Sequence, residues 1–272
     1  MPLPTLQAFS STDAMPKACV AALRNLLVAC ADTKLLLGYH YGEWTFGTPA
    51  LEAAIANCSL SQTELGHVRL LHGILKAHLG ADPDALVERR SAREFASVAF
   101  LDQDLPDWAS VVAATYVVDL AVSQVLHSMR ESAFLPVRAV IDKMLEEERY
   151  HAHHGRGWFR SLALRGGDAL HGVEGAMQAA LHSVADWFGP PEEPEDQALV
   201  SARIKARPNA DLLADVVREV AETGSSVGVH LGLEPPDHHG WTPLTRRARP
   251  GGPTDDILYH MRGSKNAMFR QE

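Results

Sequence analysis

Three cysteines in 272 residues, Cys19, Cys30 and Cys58, are too few for a disulfide framework. Their separations fit neither a zinc site nor an iron–sulfur cluster. Reduced core thiols are the expected state, as in a cytoplasmic protein. Aromatic residues make up only 7% of the chain. No G-x-G-x-x-G run opens a strand–helix unit, so no flavin or nicotinamide fold is evident. Basic residues are outnumbered, 25 against 34 acidic, which argues against nucleic acid or an anionic membrane as partner. No apolar run approaches the ~20 residues of a membrane span. The N-terminus, MPLPTLQAFSSTDAMPKA, lacks the basic start and apolar core of a secretion signal. Strand-type alternation and solenoid repeats are absent too.

What remains is helix. Apolar periodicity predicts helices over 17–41, 49–79, from about 106 to 131, and 137–164. Thr48 and Pro49 suit the N-cap and first position of the second helix. SAFLP at 132–136 breaks the third helix, and Arg165-Gly166-Gly167 ends the fourth. Further helices are expected at 168–188 and 196–222. From Gly224 a glycine-, proline- and arginine-rich tail follows, with one short helix near 254–262. The expected fold class is all-α: a four-helix bundle of two hairpins, with extra C-terminal helices and an irregular tail. It is expected as one domain over 1–272, with its core at 17–165 and additional helices at 168–222, ahead of the tail at 224–272.

Fourteen histidines are many for this length, and two of them repeat a pattern. SQTELGHVRLLHG sets Glu64 three residues before His67, and LEEERYHAHHG sets Glu148 three before His151. Residues three apart share a helix face. One such pair is a common accident. Two, on the second and fourth helices of a bundle, match the di-iron and di-manganese carboxylate proteins, which need one more carboxylate from each remaining helix. Hairpin helices bring residues level when they lie equally far from the turn. Around a first turn near Thr48, Glu64 is level with Asp32. Around a second near Phe134, Glu148 is level with Asp119. Asp119 is the only charged residue between Asp107 and Arg130, and an acid in so apolar a helix needs a buried partner. Glu43, close to the turn, reads as a structural residue. The expected metal ligands are therefore Asp32, Glu64, His67, Asp119, Glu148 and His151. Their oxygen-rich set suits two iron ions, with O2 as co-substrate. Tyr116, one turn from Asp119, is a candidate to line the cavity. His40, His72, His153 and His154 are expected in solvent or orienting the ligands, and His238 and His239 in solvent.

The stretches LLLGYHYGEWTFGTPALEAAIANCSLSQTELGHVRLLHGIL and LEEERYHAHHGRGWFRSLA resemble the ferritin-like subunits of the phenylacetyl-CoA epoxidase family. The likeness covers roughly residues 20–165. It implies a ferritin-like bundle belonging to a multicomponent oxygenase. In that family a catalytic subunit carries the di-iron centre and epoxidises an aromatic acyl-CoA, and a related structural subunit has lost part of the ligand set. GEW at 42–44 and RGW at 156–158 look most like the structural subunit, whereas two intact Glu-x-x-His motifs depart from it.

The leading expectation is an O2-dependent di-iron oxygenase acting on a small organic substrate, aromatic or acyl-CoA. The alternative is a non-catalytic structural subunit of a phenylacetyl-CoA epoxidase-like complex. An iron store is disfavoured by the long tail. The expected assembly is a homo-oligomer, or a hetero-oligomer with a ferritin-like homologue. With no electron-transfer fold in the chain, a separate reductase or ferredoxin is the expected electron donor. The arginines of WTPLTRRARPGG read as a solvated basic tail.

Overall fold

The computed structural model describes residues 8–269 and is all-helical. Four long stretches of helix form the bundle. α1 (Lys17–Glu43) and α2 (Leu51–His78) make the first hairpin. The second pairs a composite helix with α5 (Leu135–Arg165). The composite consists of α3 (Trp108–Ala113), a π-turn over Ala114–Val118, and α4 (Asp119–Ser128). α6 (Gly167–Phe188), α7 (Pro194–Ser201), α8 (Asn209–Ser225) and α9 (Asp255–Met261) follow. Among the described residues there is no strand, only two isolated bridges.

The caps explain several boundaries. Asp107 accepts the amide of Ser110 at 2.8 Å and starts α3. α5 carries Pro136 in its first turn and stops at Gly166, whose φ of 72° favours glycine. α2 differs from expectation. It starts at Leu51 behind Ala50, with no side-chain cap, because the Thr48 hydroxyl is turned to the Ala50 carbonyl instead. The expected sixth helix is two helices. Pro208 lies at its break, where it precedes α8, and Arg203 adopts a positive φ of 58°. A buried knot holds the break: the Lys205 ammonium donates to Asp196 and to Asn209, and the Asn209 amide donates to Asp196 at 2.7 Å.

Three further expectations give way. Trp108–Ser128 is long and apolar enough, by length and composition, to cross a membrane, yet 89% of that window is buried within the protein. Its apolarity reflects its central place in the bundle. Of the three tail arginines, Arg249 is exposed as expected but Arg246 and Arg247 are buried. Arg246 lies over the Trp187 ring, 4.5 Å from its centroid, and donates to the Trp187 carbonyl. Arg247 is buried against Asp102 and the Ser97 carbonyl. Both staple the tail to the body through charge-assisted bonds. Of the cysteines, Cys19 and Cys30 are buried but Cys58 is exposed.

The π-turn matters for the site. It precedes Asp119 directly, and a widened turn rotates everything before it relative to everything after. Gly155 of α5 lies against it: a Cβ there would come within 2.9 Å of the Tyr116 Cβ and 3.0 Å of the Tyr116 backbone. Only a residue without a side chain lets the two helices approach so closely.

Candidate metal centre

Five of the six expected ligands meet at the bundle centre. Glu64 and His67 enter from α2, Asp119 from the start of α4, and Glu148 and His151 from α5; all five are buried. The Glu-x-x-His spacing works as helix geometry requires, with both members of each pair facing inward. The His151 Nδ1 lies 2.7 Å from Asp119 and 3.0 Å from Glu64. The His67 Nδ1 is 3.1 Å from Glu148, and its Nε2 is 2.8 Å from Glu147 on the half-exposed rim. Ser123 donates to Glu148 at 2.5 Å. Ligand atoms of Glu64, Asp119, Glu148 and His151 lie within 4.8 Å of one another, so this buried group can hold a metal ion.

Asp32 is not among them. It points away, held by Arg90 at 2.5 and 2.9 Å and by the amide of Ala96 at 2.9 Å. Distance from the turn fixes height along the bundle but not direction around the helix. The residue of α1 that faces the carboxylates is Lys34, two positions on and about 200° around. Its ammonium contacts Asp119, lies 2.5 Å from Glu148 and is 3.1 Å from Glu64, with no exposure at all. Lys34, Gly38 and Tyr41 share this face, and Gly38 is packed on Glu64, where a Cβ would meet the Glu64 Cβ at 3.3 Å.

The electrostatics follow from that ammonium. Burial opposes charge on Lys34, but Asp119, Glu148 and Glu64 outweigh it and hold the ammonium well above its ordinary range. Burial raises Asp119 to about 7, with Glu148 and Glu64 adding to the rise while Lys34 and His151 restrain it. Burial works against Glu148 too, yet Lys34 and the His67 hydrogen bond bring it well below the usual carboxylate range. For His151 burial is outweighed by Asp119 and Glu64, and its value rises to about 11. The Lys34 ammonium therefore sets a positive charge directly among the three carboxylates.

A di-iron pair needs a carboxylate from every helix of the bundle. Here α1 offers an ammonium, which cannot ligate while protonated and repels a cation. α1 thus adds no fourth carboxylate to the set.

Tyr116 lies outside the cluster. Its hydroxyl pairs with Thr223 of α8 at 2.8 Å and its ring tilts against Phe159, because the π-turn carries it off the face of Asp119. The tyrosine close to the cluster is Tyr41. It is fully buried, and burial beside Asp119 and Glu64 pushes its phenol well above 10. Sequence reasoning passed over Tyr41 and Lys34. The signal was there for Lys34: between Arg24 and Glu43 the only charged residues are Asp32 and Lys34. Among the other histidines, His40 binds the Leu101 carbonyl at 2.9 Å, and His238 is half-buried rather than solvated.

Residues 6–243 match the family model described as phenylacetic acid catabolic protein. The chain belongs to that family. One of the subunits of 1,2-phenylacetyl-CoA epoxidase from Escherichia coli (strain K12) is 28% identical over 132 residues, covering 48% of this chain and 53% of that protein. A component of benzoyl-CoA oxygenase from Aromatoleum evansii is 28% identical over 141 residues, covering 50% and 30%. The chain thus spans about half the length of the first relative and under a third of the second. Membership of the phenylacetic acid catabolic family agrees with the ferritin-like helical fold. By name, one relative is part of an epoxidase and the other part of an oxygenase.

Proposed function

We propose that this chain is a metal-free, non-catalytic ferritin-like subunit of a multicomponent oxygenase acting on an aromatic acyl-CoA. Its role is to hold and position a catalytic homologue that carries the metal. The observation that carries this reading is the Lys34 ammonium among Glu64, Asp119 and Glu148, where a metal would otherwise supply the positive charge. A buried ion cluster of this kind is worth little as a source of net stability. It keeps four helices in register around these buried polar side chains. Reductase or ferredoxin electrons would go to the partner, not to this chain.

A second reading is favoured by one observation. His151 Nε2 is buried without a hydrogen-bond partner, and four ligand atoms already converge. If Lys34 swung out, a single ion could enter. Activity separates the two. Supplied with reductase, NADH, O2 and phenylacetyl-CoA or benzoyl-CoA, the purified chain should form no product. A catalytic homologue should form product, and more of it when this chain is added. Product from this chain alone would overturn the proposal in favour of the second reading.

A further inference from the structure

The outer face of α2 is apolar where a surface helix should be polar. Leu51 is 72% exposed, Ile55 65% and Leu65 43%, with exposed Cys58 and Gln62 between them. Their spacings alternate four and three residues. That is the seam of a two-helix contact, in which each side chain enters a hole on the facing helix. Phe46, 99% exposed on the turn before α2, extends the patch.

The face is asymmetric along its length in a way that complements itself. From Leu51 to Thr63 the only charge is Glu52, whereas the exposed charges of the C-terminal half are Arg69 and Lys76. The bulky side chains lie at the N-terminal end. The C-terminal end carries Gly66 and Gly73, where an added Cβ would meet nothing within 4 Å. Beside Gly66, Arg69 and Leu70 a crevice of about 520 Å³ opens between α2 and α5.

We infer that this face binds a second copy of the same chain, α2 against α2, antiparallel about a two-fold axis that passes between Cys58 and Gln62. In that register Ile55 meets Leu65 of the second copy and Cys58 meets Gln62. Leu51 reaches the crevice beside Gly66 and Leu70, and Glu52 lies next to Arg69, each contact occurring twice. Such an interface is isologous: one patch serves both partners. The antiparallel helix dipoles and the acid-to-base pairing agree with the direction. This self-association is independent of whether the cluster holds a metal.

Sedimentation equilibrium of the full chain, under reducing conditions, should give a dimer. Ile55→Glu should raise the dimer dissociation constant at least about tenfold with the helical circular dichroism unchanged, since a charge at the centre of an apolar seam is desolvated without a partner. Glu52→Arg and Arg69→Glu should each weaken the dimer, and the double variant should recover it. Gln62→Cys should form an intermolecular disulfide with native Cys58 on mild oxidation. A monomeric wild type, a dimer indifferent to Ile55→Glu, or a double charge swap that fails to recover would each overturn the inference. So would association only with a different chain.

Discussion

Lys34→Glu should convert a chain indifferent to divalent metal into one that depends on it. The substitution removes the ammonium that balances Glu64, Asp119 and Glu148 and adds a fourth carboxylate from α1, completing the set that a two-metal site requires. Without metal, four acids would crowd a dry site, and losing one partner of a buried pair alone costs about 3–5 kcal/mol. The variant should therefore melt far below wild type in chelator. Under anaerobic conditions with Fe2+ or Mn2+ it should recover, because a ligand at a hundred times its Kd adds about 2.7 kcal/mol. Wild type should show no metal-dependent shift in the same thermal scans. Lys34→Met separates charge from ligation: it should be destabilised by a similar ~3–5 kcal/mol, since the three acids lose their cation. If metal raised the wild-type Tm as much as that of Lys34→Glu, Lys34 would not be the group that keeps metal out.

The second large effect concerns the acid that seemed a ligand. Arg90→Ala should cost about 3–5 kcal/mol in chemical denaturation, because Asp32 would stay buried with only the Ala96 amide to face it. The pair is nearly dry, with Arg90 13% and Asp32 2% exposed, so solvent screens it little. Arg90 also lies 4.3 Å from the centroid of the Phe95 ring, and part of the loss belongs to that packing. Asp32→Asn combined with Arg90→Met should be milder than the two singles summed, since removing both charges leaves none stranded. Neither variant should alter metal content. Loss of metal from Lys34→Glu on adding Asp32→Asn would return Asp32 to the centre.

These two residues show where sequence reasoning stops. The bundle was legible because its four stretches carry long apolar periodicities broken by glycine and proline, as at Gly166. The two Glu-x-x-His pairs were legible because their spacing fixes a common face. Asp119 was legible because a lone acid in an apolar helix must be paired inside. Asp32 and Lys34 are both charged residues in the apolar middle of α1, and height in the bundle does not choose between them. The choice lies in the azimuth of α1, which is set by Gly38 packing on Glu64. Tyr116 was misplaced for a related reason: three residues back from Asp119 is one turn in an α-helix, but the turn there is a π-turn. The stapled tail was hidden because Arg246 and Arg247 read as surface charge until Trp187 and Asp102 are folded beneath them.

The central claim is that Lys34 stands in for the metal, and metal analysis of the wild-type chain tests it most directly. The protein is loaded anaerobically with excess Fe2+, desalted, and its iron measured per chain. The account predicts far less than one iron per chain, with Lys34→Glu measured alongside and binding well above wild type. Two irons retained per wild-type chain would contradict it and restore the di-iron oxygenase that the paired Glu-x-x-His motifs first suggested.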